Sequence, residues 1–180
     1  MTKLKVPVSP EDHIQGPANS PLSLVEYGDF ECPYCGQAYG IVKEAQDALG
    51  DDLRLIFRHF PLTQVHPHAL GAAQAAEAAG RQGKFWQMHD LLFENQDALG
   101  VDDLRQHAER LGLDVDAFAQ ALGDARLSER IRRDFMGGVR SGVNGTPAFF
   151  INDIRHDGGW DAESLIESLR TARSRLHAAH

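Results

Sequence analysis

Along the chain, apolar positions first gather at Leu22, Leu24, Val25 and Tyr27, with Ser23 and Glu26 between them. The run is apolar and β-branched enough for a central strand, and it leads through Gly28-Asp29-Phe30-Glu31 into Cys32. Pro33 then suits the first turn of a helix, where its fixed φ fits and its missing N–H costs nothing. Ala38, Ile41, Val42, Ala45, Ala48 and Leu49 follow at helical spacing until Gly50 stops them. Leu53 to Phe60 returns to strand character. Strand, helix, strand makes a βαβ unit, so these two strands are expected to run parallel.

From Gln64 to about Gly142 the period is helical throughout. Pro67 opens an alanine-rich helix closed by Gly80, Phe85, Met88 and Leu92 mark a second, and Val101, Leu104, Ala108 and Leu111 a third. Asp114 is placed to cap a fourth carrying Val115, Phe118 and Leu122, while Leu127, Ile131, Phe135 and Val139 stripe a fifth. Pro147 to Ile151 and Ile154 to His156 read as strands around Asn152-Asp153, a two-residue hairpin turn. Asp161 caps a last helix whose buried face is Leu165, Ile166 and Leu169. The expected class is α/β, a mixed central sheet flanked by helices and interrupted by an all-helical lobe. The boundaries are an extended arm over 1–20, a core over 21–63 and 143–176, the lobe over 64–142 and a tail over 177–180.

Composition narrows the function classes. A length of 180 residues with 42% hydrophobic and 24% charged residues fits one globular domain with an inserted lobe. The net charge of −8 argues against nucleic acid as a partner. No apolar run approaches the roughly 18 residues that span a bilayer. Val6-Pro7-Val8-Ser9-Pro10 is no apolar signal stretch, so a cytoplasmic location is expected, or an extracytoplasmic one if a signal has been removed.

The two cysteines, Cys32 and Cys35, are three positions apart. As a staple the pair would stabilise the fold by only about 2 kcal/mol in the chain-entropy formula, and strain can cancel that. Its place at a strand-to-helix junction suggests chemistry instead. A helix N-terminus stabilises a thiolate, and one helical turn brings the second sulfur back to the first. Asp29 and Glu31 oppose ionisation and Tyr34 adds no cation, so the expected pKa is lowered without being extreme. The other readings are inert thiols or half a metal site completed by His66 and His68. No second CxxC exists, and neither a metal nor a cofactor is expected.

Glu26 shares a strand face with Leu22 and Leu24. It is either a buried carboxylate that exchanges a proton with the recessed thiol or a bystander at a solvent-filled edge. Gly145-Thr146-Pro147 precedes a strand and reads, on its own, as an ordinary trans turn. His59, His89, His107 and His156 are scattered and read as surface or satisfied core positions, and Trp86 reads as lobe core.

Taken together, Val25 to Cys35 with its CPYC, Arg58-His59-Phe60-Pro61-Leu62, and Gly142 to Ile151 resemble a DsbA-like member of the thioredoxin superfamily, over about Pro21 to Arg170. CPYC also occurs in glutaredoxins, which are shorter and lack so large a helical block. The resemblance implies a thioredoxin-like fold and a thiol-disulfide oxidoreductase acting on cysteine-containing proteins, with a thioredoxin- or glutathione-type redox partner. It implies that Cys32 is the exposed nucleophile and Cys35 the buried resolving thiol, with Pro33 and Tyr34 supporting them. Pro147 would be a cis-proline facing the dithiol, Thr146 would offer backbone groups to an extended substrate, and Glu26 would be the acid beneath the dithiol. In the cytoplasm such a dithiol is expected to reduce its clients. The alternatives are a glutathione-dependent, glutaredoxin-like reductase and a redox-sensing binding module without turnover.

Overall fold

The computed structural model describes residues 1–178. One five-stranded sheet is built from β1 (His13–Gln15), β2 (Leu22–Gly28), β3 (Leu53–His59), β4 (Ala148–Ile151) and β5 (Ile154–His156). Its order is β1-β3-β2-β4-β5. β2 and β3 are parallel, in register from Leu22 opposite Leu53 to Gly28 opposite His59, and the remaining pairs are antiparallel. Helix α1 (Pro33–Leu49) joins β2 to β3. Five helices separate β3 from β4: α2 (Ala69–Gly80), α3 (Phe85–Glu94), α4 (Val101–Arg110), α5 (Val115–Leu122) and α6 (Ala125–Arg140). α7 (Ala162–Ala178) follows β5, so the expected tail starts as helix, and residues 179–180 lie outside the described residues.

Alternation along the strands sorts the core. Leu22, Leu24, Leu55, Phe149 and Ile151 pack under α1 and α7 against Val42, Ala45, Leu165 and Leu169. The opposite parity, Val25, Tyr27, Ile56 and Phe150, packs with Phe60, Val143 and Phe135 of α6. A third cluster joins the alanines of α2 and the apolar faces of α3 to α5 to Phe30, Phe57, Cys32 and Cys35, so the helical block packs directly on the dithiol.

The structure corrects two expectations. The stripe on α6 does not reach Val139, which is exposed. The helix instead approaches the sheet through Gly137 and Gly138, where a Cβ on Gly138 would come within 2.8 Å of the Phe60 ring. The arm over 1–20 is also more than extended chain, since β1 lies in it as an edge strand on β3. Side chains hold it there. His13 and His59 both place Nε2 on Glu77 Oε1, at 2.6 and 2.7 Å. The Arg58 guanidinium bonds both Asp12 oxygens at 2.9 Å and the carbonyls of Val6 and Pro7. Removing one partner from such a buried ion pair costs about 3–5 kcal/mol. His59, His89 and His107 are core residues, but each leaves one ring nitrogen without a partner among the described residues.

Candidate active site

Cys32 is the N-cap of α1, with extended backbone angles, and Pro33 occupies the first helical turn. The helix begins here because its first amides have no intrahelical acceptor and Pro33 brings none to satisfy. Cys35 lies one turn on, fully buried where the helical block packs on the turn. The two sulfurs are not bonded to each other. Gln96, from the segment after α3, donates to the carbonyls of Phe30 and Cys32 at 2.9 and 2.8 Å, clamping the turn from above. Gly36 is required for this approach, since a Cβ there would run into the Gln96 amide. Nothing in the sequence pattern singles out Gln96.

The two cysteines differ sharply in ionisation. The hydrogen bond from the Cys35 thiol is the main cause that brings the Cys32 pKa down to about 5, against the cost of burial. The Thr146 side chain and the amides of Cys35 and Tyr34 add to it. Cys35 moves the other way, pushed far above the ordinary thiol range by burial, by its bond to Cys32 and by the charge of Glu26. The Asp29 amide donates to its sulfur at 3.4 Å.

Cys32 was expected to be exposed, and it is not: the residue is 3% accessible, against 0% for Cys35. Its thiol donates to the Thr146 carbonyl at 3.6 Å. The Thr146–Pro147 peptide bond is cis. Thr146 and Pro147 line a hollow of about 350 Å³ with Tyr34, Gln37, Ile41 and Trp160. Tyr34 and Trp160 are 67% and 55% exposed, so the hollow has an apolar, open rim beside the dithiol.

Glu26 is buried on the α1 face of β2, and burial alone raises its carboxyl pKa to about 8. Its Oε1 has no hydrogen-bond partner among the described residues. Asp29 and Glu31, expected to oppose the thiolate, are both engaged elsewhere. The Asp29 carboxylate accepts from the Glu31 and Leu62 amides and meets His66 Nδ1 at 2.8 Å. Glu31 accepts from the His68 amide. His66, weighed before only as a metal ligand, therefore stands beside the dithiol turn through Asp29.

A thioredoxin family profile matches residues 8–170. The chain belongs to that thioredoxin family. Among solved structures, a thioredoxin-like oxidoreductase from Silicibacter pomeroyi is 26% identical, with 96% of this chain and 95% of that one covered at a TM-score of 0.82. Alpha-DsbA1 of Wolbachia pipientis shares the fold at 22% identity, with 98% and 97% covered and a TM-score of 0.82. The thioredoxin-like fold of the chain is thus of the DsbA type, with the helical block placed between β3 and β4. A protein named Na(+)/H(+) antiporter NhaA 1, from Salinispora arenicola, is 51% identical over 170 residues, which are 94% of this chain and 26% of that relative. This thioredoxin-family chain spans about a quarter of the length of the curated relatives it matches. Among its described residues no helix is long and apolar enough to cross a membrane.

Proposed function

We propose that the chain exchanges disulfides with cysteine-containing proteins through its CPYC dithiol. The observation that carries this reading is the placement of the two sulfurs, Cys32 at the N-cap of α1 against the Thr146 carbonyl and Cys35 fully buried one turn on. That placement lowers the pKa of the first and raises that of the second. The Cys32 thiolate attacks a substrate disulfide, forming a mixed disulfide and releasing the other substrate sulfur as a thiolate that takes up a proton. Cys35 then gives its proton to Glu26 in its ionised form, whose share grows as pH approaches 8, and attacks the Cys32 sulfur. The Cys32–Cys35 bond forms, the bond to substrate breaks, and the second substrate sulfur leaves as a thiolate that takes up the proton from Glu26. The substrate thus departs as a dithiol and Glu26 is ionised again. Two electrons have passed from the dithiol to the substrate. The same steps run backwards oxidise a client dithiol.

Each supporting residue has a physical task. Pro33 starts the helix whose amides face the thiolate. Tyr34 and the Pro147 ring form sides of the hollow that would take an apolar side chain next to the substrate cysteine. Thr146 offers backbone groups to an extended substrate segment, in a strand-addition mode.

A stabilised Cys32 thiolate favours the dithiol over the disulfide, which makes the disulfide form an oxidant. That reverses the reducing direction expected for a cytoplasmic setting and fits an oxidising compartment. The redox partner is then one that re-oxidises the pair. The test is a client-oxidation assay beside insulin reduction, comparing the native chain with Cys32→Ser. Exchange is expected in the native chain and loss of it in the variant. Full activity in Cys32→Ser would refute the nucleophile.

One observation favours a second reading. The matched relatives bear the name of an antiporter and the match covers about a quarter of them. In that setting the dithiol serves as a redox-sensing module on a transporter. It predicts oxidation-dependent binding with negligible turnover in the same assays.

A further inference from the structure

Asp29 is the point where the dithiol turn and the loop after β3 are tied together. Its buried carboxylate has partners on both segments: the Glu31 amide at 2.8 Å on the turn, and the Leu62 amide at 2.9 Å and His66 Nδ1 at 2.8 Å on the loop. Its main chain holds both cysteines, the amide donating to Cys35 Sγ at 3.4 Å and the carbonyl accepting from the Cys32 amide at 3.2 Å. Glu31 adds a second tie by accepting from the His68 amide at 2.6 Å. A displacement of the loop therefore passes to the dithiol turn through Asp29 and Glu31, and only Asp29 also bonds both cysteines.

We propose that Asp29 and His66 are a positioning pair for thiol exchange: Asp29 fixes the dithiol turn to the loop, and the His66 ring it holds is the counter-charge coupled through Asp29 to Cys32. This rests on the exchange reading above and names residues that reading does not use. A buried carboxylate is costly unless amides and a counter-charge compensate it, and the two amides and His66 do so. The His66 side chain is 19% exposed, so its charged ring still reaches solvent. Against the cost of partial burial, the bond and charge of Asp29 raise its pKa above the usual histidine value, and the charges of Cys32 and Glu31 add to the rise. The groups acting on His66 are therefore Asp29, Cys32 and Glu31 on the turn, with His68 nearby on its own loop.

Coupling between two charges is reciprocal. If His66 favours the Cys32 thiolate, the thiolate favours the His66 cation by the same factor. Disulfide formation removes the thiolate, so His66 holds its proton more weakly in the oxidised chain. The dithiol state thus carries both charges between the Cys32 and His66 midpoints, and the disulfide state loses part of the hold on the second.

The experiment is an NMR titration of the His66 ring in the reduced chain, the oxidised chain and Cys32→Ser. The His66 midpoint is expected to fall by about 0.5 or more when the thiolate is removed by either route, a modest value because the ring is partly solvated. Equal midpoints in all three overturn the proposal. In a second measurement, His66→Gln, which keeps a donor for Asp29 and removes the charge, is expected to halve the thiolate fraction near pH 5, read by thiolate absorbance. An unchanged fraction also overturns it. Neither readout needs turnover. Coupling without exchange in any assay would defeat the exchange reading alone, and exchange without coupling would defeat this pairing alone.

Discussion

The Cys32 thiol points at the carbonyl oxygen of Thr146, 3.6 Å away, while the hydroxyl of the same threonine is buried with no hydrogen-bond partner among the described residues. The two groups serve different protonation states. A protonated thiol donates to the carbonyl, whereas a thiolate has no proton to give and needs a donor. Behind the larger contribution of Cys35, the Thr146 side chain adds to the lowering of the Cys32 pKa. Its hydroxyl, which makes no bond while the thiol is protonated, is free to turn to the thiolate as that donor. Thr146→Val keeps the carbonyl and the shape but removes the donor. The Cys32 midpoint is expected to rise by about 1, followed by thiolate absorbance. An unchanged midpoint would assign the stabilisation to Cys35 and the helix amides alone.

Burial and ionisation act in opposite directions on the reactivity of Cys32. The thiolate is the reactive form, and with a pKa of about 5 its fraction rises as pH passes through that value and levels off by pH 7. Access to a residue only 3% exposed keeps the plateau low. Alkylation by iodoacetamide is expected to follow a single ionisation near pH 5, at a plateau below that of an open thiolate. Mass spectrometry is expected to find the label on Cys32 alone, with Cys35 modified only after unfolding. A profile rising near pH 9 instead would show that the helix terminus does not ionise this sulfur.

The same ionisation sets the direction of exchange. Stabilising one thiolate of the reduced pair makes its disulfide easier to reduce. The Cys32–Cys35 potential is expected nearer the roughly −120 mV of a strong dithiol oxidant than the roughly −270 mV of a thioredoxin reductant. Equilibration against a glutathione buffer, read by tryptophan fluorescence, measures it. A value at the reducing end would restore the cytoplasmic reductase.

The elements that position the sulfurs could be read from the chain because their signals are local. Pro33 at the helix start and Gly50 at its end bracket α1, and the alternation of Leu22, Leu24 and Glu26 gives the face of β2. What escaped depends on partners far away in sequence. β1 is three residues with no alternation to show, and His13 is fixed by Glu77, 64 positions on. Gln96 reaches the dithiol turn across 64 positions and His66 reaches Asp29 across 37. Asp29 was visible as a charge, but a charge already spent on two amides and an imidazole acts differently from a free one. The glycine face of α6 escaped for another reason: an apolar stripe marks burial by side chains, and Gly138 is buried by lacking one.

Glu26 offers the test with two independent readouts. Burial raises its pKa from 4.5 to about 8. Between these values the unfolded chain is ionised at this position while the folded chain keeps its proton, so the folded state binds more protons and its stability falls as pH rises. The slope is about 1.4 kcal/mol per pH unit while only the unfolded form is charged. Glu26→Gln removes the titration. The stability of the variant relative to the native chain is therefore expected to grow by about 3 kcal/mol from pH 5 to pH 8, measured by urea unfolding. Chemistry predicts the opposite ranking. In the proposed exchange the carboxylate accepts the Cys35 proton, so decay of a preformed mixed disulfide is expected to quicken with pH toward 8 in the native chain. In Glu26→Gln that decay is expected to be about 100-fold slower and to lose this pH dependence. A variant that is more stable at pH 8 yet resolves its mixed disulfide at the native rate would leave Glu26 a buried acid with no part in the exchange.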